Sequence, residues 1–280
     1  MTVTPLLPGD PGSPVVLHVP HASRAVPADV RSRLLLTDDD LRVELDRMTD
    51  TATDLVAAAA AGAARRRPWR WVAPWSRLVV DPERFPDVRE PMRAVGMGAV
   101  YTRTSEGRPL RTPDPRHEAD LLTRYLRPHA EGVADLVQER LDACGRAVVL
   151  DVHSFPTQPL PYETAADPDR SRHRPQVCLG TDVKHTPGWL LDRAREAFDG
   201  LEVGRDEPFA GTYTPLRHWG REPRVVSVMV ELRRDLYLDD ELQPTTGLGE
   251  VAARLAALVD AVTDTATDTA TDTATDADPR

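Results

Sequence analysis

The sequence predicts an α/β fold, a three-layer αβα arrangement around a mixed, largely parallel central sheet. Short apolar runs of strand length, of which Val15-Val16-Leu17-His18-Val19 and Ala147-Val148-Val149-Leu150 are the clearest, alternate with longer segments of helical periodicity. These runs are apolar nearly throughout, as strands covered on both faces are. At 280 residues, 40% hydrophobic and 29% charged, the chain is sized for one large domain.

Each element follows in order. Residues 1–12, rich in Pro and Gly, read as a flexible lead-in. The first strand, Val15 to Val19, closes at Pro20. Thr37 followed by Asp38, Asp39 and Asp40 marks a helix start, because side-chain oxygens and negative charge satisfy the free amides there; the helix runs through Leu41, Leu45 and Met48. A second helix covers Thr51 to Ala64, including Leu55 to Ala64, the longest apolar run. That run is about ten residues against the roughly twenty a bilayer requires, so it reads as a buried helix. Trp71-Val72-Ala73 and Leu78-Val79-Val80 read as strands, the latter ending in Asp81-Pro82. From Arg116 to Cys144 the apolar residues fall at helical spacing, with a break near Pro128. Ala147 to Leu150 is a buried strand that runs into Asp151-Val152-His153-Ser154. The Pro-rich stretch from Pro156 to Pro175 is a long loop of the kind that often carries function. A strand at Val177 to Leu179, a helix from Pro187 to Phe198, a strand from Val225 to Leu232 and a closing helix from Leu248 to Val262 complete the alternation. From Thr263 to Arg280 a Thr-Asp-Thr-Ala repeat reads as a disordered tail, which leaves 13–262 as the folded domain.

The net charge of −10 argues against a nucleic-acid partner. The tail holds five aspartates against one arginine, so −4 of that charge lies outside the predicted domain and the rest is only mildly acidic. Two cysteines, Cys144 and Cys178, are too few for a disulfide framework, and the N-terminus has no basic region followed by an apolar one. The expectation is a cytoplasmic protein that acts on a small molecule, with no membrane partner and no heptad to set an oligomeric state. Basic residues are almost all arginine, with Lys184 the single lysine.

In open α/β sheets the ligand crevice lies beyond the carboxyl ends of the strands. The predicted strand ends deliver His18 and His21, then Asp81, Glu83 and Arg84, then Asp151 and His153, while Glu231 lies inside an apolar run. Nitrogen and carboxylate donors without paired thiols suit a catalytic zinc. Asp151 and His153 are two apart on one strand and share a face, so the aspartate either orients the imidazole or belongs to an ordinary polar turn. An acid at Glu231 is costly unless paired or poised for catalysis. Arg77 and Arg84 either grip a substrate carboxylate or form ion pairs.

These residues carry a resemblance. The sequence resembles the N-formylglutamate amidohydrolase family, whose fold is similar to that of zinc carboxypeptidases and of the aspartoacylase and succinylglutamate desuccinylase enzymes. Val19-Pro20-His21-Ala22-Ser23 with Pro27 matches the family's PHSG and its following proline, and Glu44-Leu45-Asp46 its acidic pair. Ser76-Arg77-Leu78-Val79-Val80-Asp81 matches SRxxxD, and Leu150-Asp151-Val152-His153-Ser154-Phe155-Pro156 matches LDxHSMP. Phe209-Ala210-Gly211-Thr212-Tyr213 matches PFxGGY; Met229-Val230-Glu231-Leu232-Arg233-Arg234 with Leu236-Tyr237-Leu238-Asp239 matches QIEINRxLYM. The likeness covers roughly residues 14 to 240.

The resemblance implies a phosphorylase/hydrolase-like fold and zinc on His21, His153 and an acidic third ligand, Asp46, with Glu44 as the fallback. It implies Glu231 as general base and acid, Asp151 and Ser154 as supports behind the ligands, and Arg77 and Arg84 as substrate-carboxylate binders. Tyr213 and Arg217 or His218 line the substrate side or belong to a packed aromatic loop. The implied reaction is zinc-dependent hydrolysis of N-formyl-L-glutamate to formate and L-glutamate. Deacylation of another acylated amino acid, a carboxypeptidase-like activity and a non-catalytic relative are the alternatives. One departure bears on substrate: the family's DLNR reads Asp81-Pro82-Glu83-Arg84, and a carboxylate at Glu83 repels an anion unless Arg84 or Arg77 neutralises it.

Overall fold

The computed structural model describes residues 5–166 and 173–275. Its strands are β1 Leu6–Leu7, β2 Val15–Val19, β3 Trp69–Val72, β4 Ala147–Phe155, β5 Val177–Gly180, β6 Val203–Arg205 and β7 Val225–Arg233. Its helices are α1 Ala28–Arg31, α2 Asp38–Met48, α3 Thr53–Ala63, α4 Pro115–Leu121, α5 Arg127–Cys144, α6 Pro161–Ala166, α7 Gly188–Ala197 and α8 Gly247–Thr275. The strands form one sheet in the order β1-β3-β2-β4-β7-β5-β6. Strands β3, β2, β4 and β7 run parallel, while β1 on β3 and β5 on β7 are antiparallel. The sheet is mixed and largely parallel, with helices on both sides.

Side-chain alternation along the three central strands decides where chemistry can sit. Val15, Leu17 and Val19 of β2, Val148, Leu150 and Val152 of β4, and Val226, Val228 and Val230 of β7 face one core, covered by α3, α7 and α8. The opposite face carries Val16, Ala147, Val149 and Val225 against Val133, Leu136 and Val137 of α5. On that same face the residues turn polar toward the carboxyl ends: His18 on β2, Asp151 and His153 on β4, Glu231 on β7. A third cluster, Leu41, Leu45 and Met48 of α2 with Leu78, Met97 and Tyr101, packs the excursion between β2 and α4.

Local signals explain most boundaries. Thr37 caps α2 by accepting a hydrogen bond from the Asp40 amide. Gly145, in the left-handed region at φ 73°, stops α5 as a C-cap. The break anticipated near Pro128 is absorbed without interrupting the helical run: a π-helical turn at Leu122–Leu126 joins α4 to α5.

Four expectations are corrected. Leu78, Val79 and Val80 are buried but form a turn, not a strand, because Leu78 packs into the α2 cluster while Val79 and Val80 pack with Val30 and Leu121. Burial under loops leaves the same apolar run in sequence as a sheet does. The lead-in is partly ordered, since Leu6 and Leu7 pair with Trp71 and Arg70; residues 1–4 lie outside the described residues. The closing helix does not stop at Val262 but continues to Thr275, with the Thr263 hydroxyl donating to the Val259 carbonyl and Arg65 ion-paired to Asp260 and Asp264. Residues 276–280 of the expected tail lie outside the described residues. The Pro156–Pro175 loop contains α6, and its residues 167–172 lie outside the described residues as well. Among the described residues no helix is long and apolar enough to cross a membrane.

Candidate metal centre and active site

A cleft of about 610 Å³ opens at the carboxyl ends of β2, β4 and β7, lined among others by His21, Asp50, Glu83, His153 and Glu231. Parallel pairing sets His153 directly beside Glu231 and His18 beside Asp151. His21, just past β2, comes from the loop that follows Pro20. Asp50 comes from the connection between α2 and α3, and its amide donates to the His21 carbonyl at 3.0 Å, which ties that connection to the exit of β2.

His21, Asp50 and His153 converge. The two histidine Nδ1 atoms lie 3.2 Å apart, and Asp50 Oδ2 lies 3.0 Å from His153 Nδ1 and 3.6 Å from His21 Nδ1. All three residues are buried. On the far side of each ring stands another carboxylate: Asp81 Oδ1 at 3.0 Å from His21 Nε2, and Asp151 Oδ1 at 3.1 Å from His153 Nε2. His21 Nε2 is hydrogen-bonded to its carboxylate, whereas His153 Nε2 meets Asp151 at ion-pair distance without hydrogen-bond geometry; an anion behind each ring turns the inner nitrogens toward one another and Asp50. Two inner lone pairs and one carboxylate oxygen are a donor set that could hold a divalent metal ion.

The electrostatics agree. Burial and the Arg77 guanidinium oppose charge on His21, yet Asp81 and Asp50 outweigh them and raise its pKa. Burial likewise opposes charge on His153, but Glu83 and Asp151 hold its pKa well above 6.5. Asp50, Asp81 and Asp151 sit below the usual carboxylate range although burial works against them; His153 and His21 lower Asp50, Arg77 and His21 lower Asp81, and His153 and His18 lower Asp151. The site is a set of ionised carboxylates around histidines that retain protons, the state a cation would replace.

Glu231 differs. Its Oε2 is buried without a hydrogen-bond partner, and burial, reinforced by Asp50 and resisted by His153, pushes its pKa up to about 8. A buried, unpartnered carboxyl beside the donor cluster is placed to exchange a proton within the cleft.

The other candidate residues are distributed unevenly. Asp46 stands apart from the donor groups: its carboxylate is 37% exposed and ion-paired to Arg24 at 2.7 Å. Glu44 is buried but accepts hydrogen bonds from the Ser105 amide and hydroxyl. The acidic group beside the histidines is Asp50. Arg217 also points away, paired with Asp135 of α5 at 2.6 Å and 47% exposed, and His218 bonds to Gln138. Arg77 borders the cleft but is committed to Asp81 at 2.7 Å and to the Tyr101 hydroxyl. Arg84 lines the cleft with only long pairs, 3.6 Å to Asp81 and 3.7 Å to Glu90, and a buried Nε without a hydrogen-bond partner. Tyr213 stacks on His18 at 4.5 Å between centroids, and its amide donates to Asp151 Oδ2 at 2.9 Å. Ser154 lines the cleft beside Arg234. Glu83 is not neutralised by Arg77 or Arg84; it faces His153 Nε2 at 3.3 Å and His18 Nδ1 and His21 Nε2 at 3.7 Å each.

Three contributors were not read from sequence. Asp50 has no local mark that separates it from Asp46. His129 lies in the first turn of α5 and reaches His18. Arg234 donates to the carbonyls of Asp46, Arg47 and Thr49, clamping the end of α2 so that Asp50 faces inward. An arginine two positions after the end of the buried strand run was the available signal for the last.

Comparison with known proteins gives the family and the fold. A family model described as N-formylglutamate amidohydrolase matches residues 13–238. No curated protein matches the chain. Among solved structures, an N-formylglutamate amidohydrolase from Ralstonia eutropha JMP134 is similar at a TM-score of 0.78 and 19% identity, covering 95% of this chain and 100% of that one. A gene product of Agrobacterium tumefaciens is similar at a TM-score of 0.70 and 19% identity, covering 96% and 97%. At that identity the two structures speak for the fold.

Proposed function

The chain belongs to the N-formylglutamate amidohydrolase family, and from that premise we propose that it hydrolyses the amide bond of an N-acyl amino acid, foremost N-formyl-L-glutamate, giving formate and L-glutamate. The observation that carries the reading is the convergence of His21 Nδ1, His153 Nδ1 and the Asp50 carboxylate at the strand ends. These three residues would hold zinc. Zinc bound there supplies Lewis acidity toward the acyl carbonyl and lowers the pKa of water.

The chain's own residues do the rest. Glu231, adjacent to His153 in the sheet, accepts the proton of the attacking water and passes it to the departing nitrogen. With a pKa of about 8, a fraction of its carboxyl is already ionised near neutrality, the form that accepts a proton. Asp81, hydrogen-bonded to His21 Nε2, and Asp151, in ion-pair contact with His153 Nε2, hold the inner nitrogens aimed at the cleft. Arg84 offers an uncommitted guanidinium edge to a substrate carboxylate, while Tyr213 walls the cleft beside His18.

A second reading keeps the chemistry and changes the substrate to an N-acyl amino acid with a less acidic side chain. The Glu83 carboxylate inside the cleft favours it. Formate release from N-formyl-L-glutamate by zinc-loaded and chelator-stripped protein tests both: zinc-dependent release supports the first, and no release from protein that retains zinc sends the reading to other acyl amino acids. Hydrolysis that is unchanged after complete removal of metal would sink the metal centre itself.

A further inference from the structure

A line of hydrogen bonds runs from α5 to the far side of the metal centre and settles which ring nitrogens carry protons. The Trp71 indole can only donate, and its Nε1 meets His129 Nδ1 at 3.3 Å. His129 Nδ1 must therefore accept, which puts the proton of this buried ring on Nε2. That atom lies 2.9 Å from His18 Nε2. His18 Nε2 accepts in turn, so the His18 proton is on Nδ1, 2.9 Å from Asp151 Oδ1. Asp151 receives this N–H on Oδ1 and the Tyr213 amide on Oδ2, and the same Oδ1 faces His153 Nε2 at 3.1 Å. Every member is buried except Tyr213, which is partly so.

We propose that Trp71, His129 and His18 are positioning residues whose fixed donor direction holds the Asp151 carboxylate in place beside His153 Nε2, an ion-pair contact at 3.1 Å that keeps His153 Nδ1 turned toward the metal. The inference rests on the reading of His21, Asp50 and His153 as the metal centre. It has a second consequence. His18, Glu83 and Asp151 are also close enough to hold a cation, but with its proton on Nδ1 His18 has no lone pair to give them, so that cluster is a support and not a second metal site. Without the relay, His18 can place its proton on Nε2 and turn a lone pair on Asp151, which then loses one of its two donors.

The relay is tested by zinc retention against a chelator, measured beside the melting temperature, for His129→Gln and His129→Leu. Glutamine can accept from Trp71 and donate to His18; leucine can do neither. The expected result is affinity within about twofold of wild type for His129→Gln and about tenfold weaker for His129→Leu, the lower end of what outer partners of metal ligands contribute. Wild-type zinc affinity in a folded His129→Leu protein, or equal losses in both variants, would overturn the proposal. Should His129→Leu fail to fold, nitrogen–proton NMR of the metal-stripped wild type decides. Protons on His18 Nδ1 and His129 Nε2 support the relay, and a proton on His18 Nε2 refutes it. Because the NMR experiment needs no metal, wild-type protein that binds no zinc would count against the metal centre and leave the relay to be judged by the tautomers.

Discussion

His21 and His153 turn their Nδ1 atoms toward one another at 3.2 Å, with the Asp50 carboxylate against both. Two neutral acceptors cannot rest at that distance without a proton or a cation between them. The outer nitrogens have their own carboxylates, so the requirement falls on the inner face, where Asp50 supplies the anionic third corner.

Asp50 and Asp46 therefore separate cleanly. Asp50→Asn removes a donor and should weaken zinc binding by more than the 10–100-fold typical of outer partners. Asp46→Asn breaks one exposed pair with Arg24 and should cost at most about 1 kcal/mol of stability with zinc content unchanged. Metal analysis after dialysis, beside thermal melts, distinguishes them; zinc loss in the Asp46 variant alone would reverse the assignment.

Glu231→Gln tests the proton carrier. The expected loss in kcat is 10²–10⁴-fold with zinc content intact. Stability should move the other way. A carboxyl raised to about 8 in the fold, from an ordinary 4.5, destabilises progressively as pH rises between those values. The glutamine variant of the metal-stripped protein should therefore melt at or above wild type at pH 8, and a lower melting temperature there would show that Glu231 has a structural partner.

Much of this was legible in sequence because it depends on strand ends. Period-two alternation puts His18, Asp151, His153 and Glu231 on one face wherever the runs form parallel strands, and the central runs do. What sequence hid depends on tertiary docking. Asp46 and Asp50 are four positions apart in sequence, and the choice between them is made by Arg234, far along the chain, which grips three carbonyls at the end of α2. Leu78–Val80 misled for a related reason: their burial comes from loop-covered clusters, and local pattern does not say what covers an apolar run. The Thr-Asp-Thr-Ala repeat read as tail because it offers little to a core, yet Arg65 and threonine back-bonds carry the helix on.

The pH dependence of stability has a defined sign. His153 is raised well above 6.5, so its protonated form adds stability that is fully present below 6.5 and lost as pH climbs through the raised value. Asp50 and Asp81 are lowered, so their contribution is present above 3.8 and lost as pH falls through the depressed values. Metal-stripped protein should melt highest in mildly acidic buffer and decline on the alkaline side. Zinc replaces the histidine protons and should remove that decline, adding about 2.7 kcal/mol at a hundredfold excess over its Kd. Melts across pH with and without zinc check this; an alkaline decline that zinc leaves untouched would detach it from the histidines.

Glu83 should set the preference between acidic and neutral substrates. Two carboxylates about 6 Å apart repel by roughly 3 kcal/mol at an effective dielectric of 20. The three histidines facing Glu83 offset part of that. Glu83→Gln should therefore lower the KM for N-formyl-L-glutamate several-fold while changing it little for an N-formyl amino acid with a neutral side chain. Equal changes for both substrates would mean that Glu83 acts on the metal centre and not on the substrate.

The arginines divide by what already holds them. Arg77 is half-buried against Asp81 and Tyr101, and its removal would strip the buried Asp81 of its shortest ion pair, so Arg77→Ala should strongly destabilise the protein before it informs on binding. Arg217 is paired with Asp135 on the outer surface, and its loss should leave KM and kcat as they are. Arg84 alone of the three combines a place in the cleft with a free Nε and pairs longer than 3.5 Å, so it can present a fork to a carboxylate without breaking a strong contact. Arg84→Ala should raise KM about 10- to 100-fold for a substrate with an α-carboxylate, the 1.5–3 kcal/mol scale of a hydrogen bond to a charged group, and lower kcat much less. Steady-state kinetics on N-formyl-L-glutamate and on its α-amide separate the effect. A KM penalty that persists when the carboxylate is replaced by the amide would show that Arg84 serves the cleft wall and not the substrate.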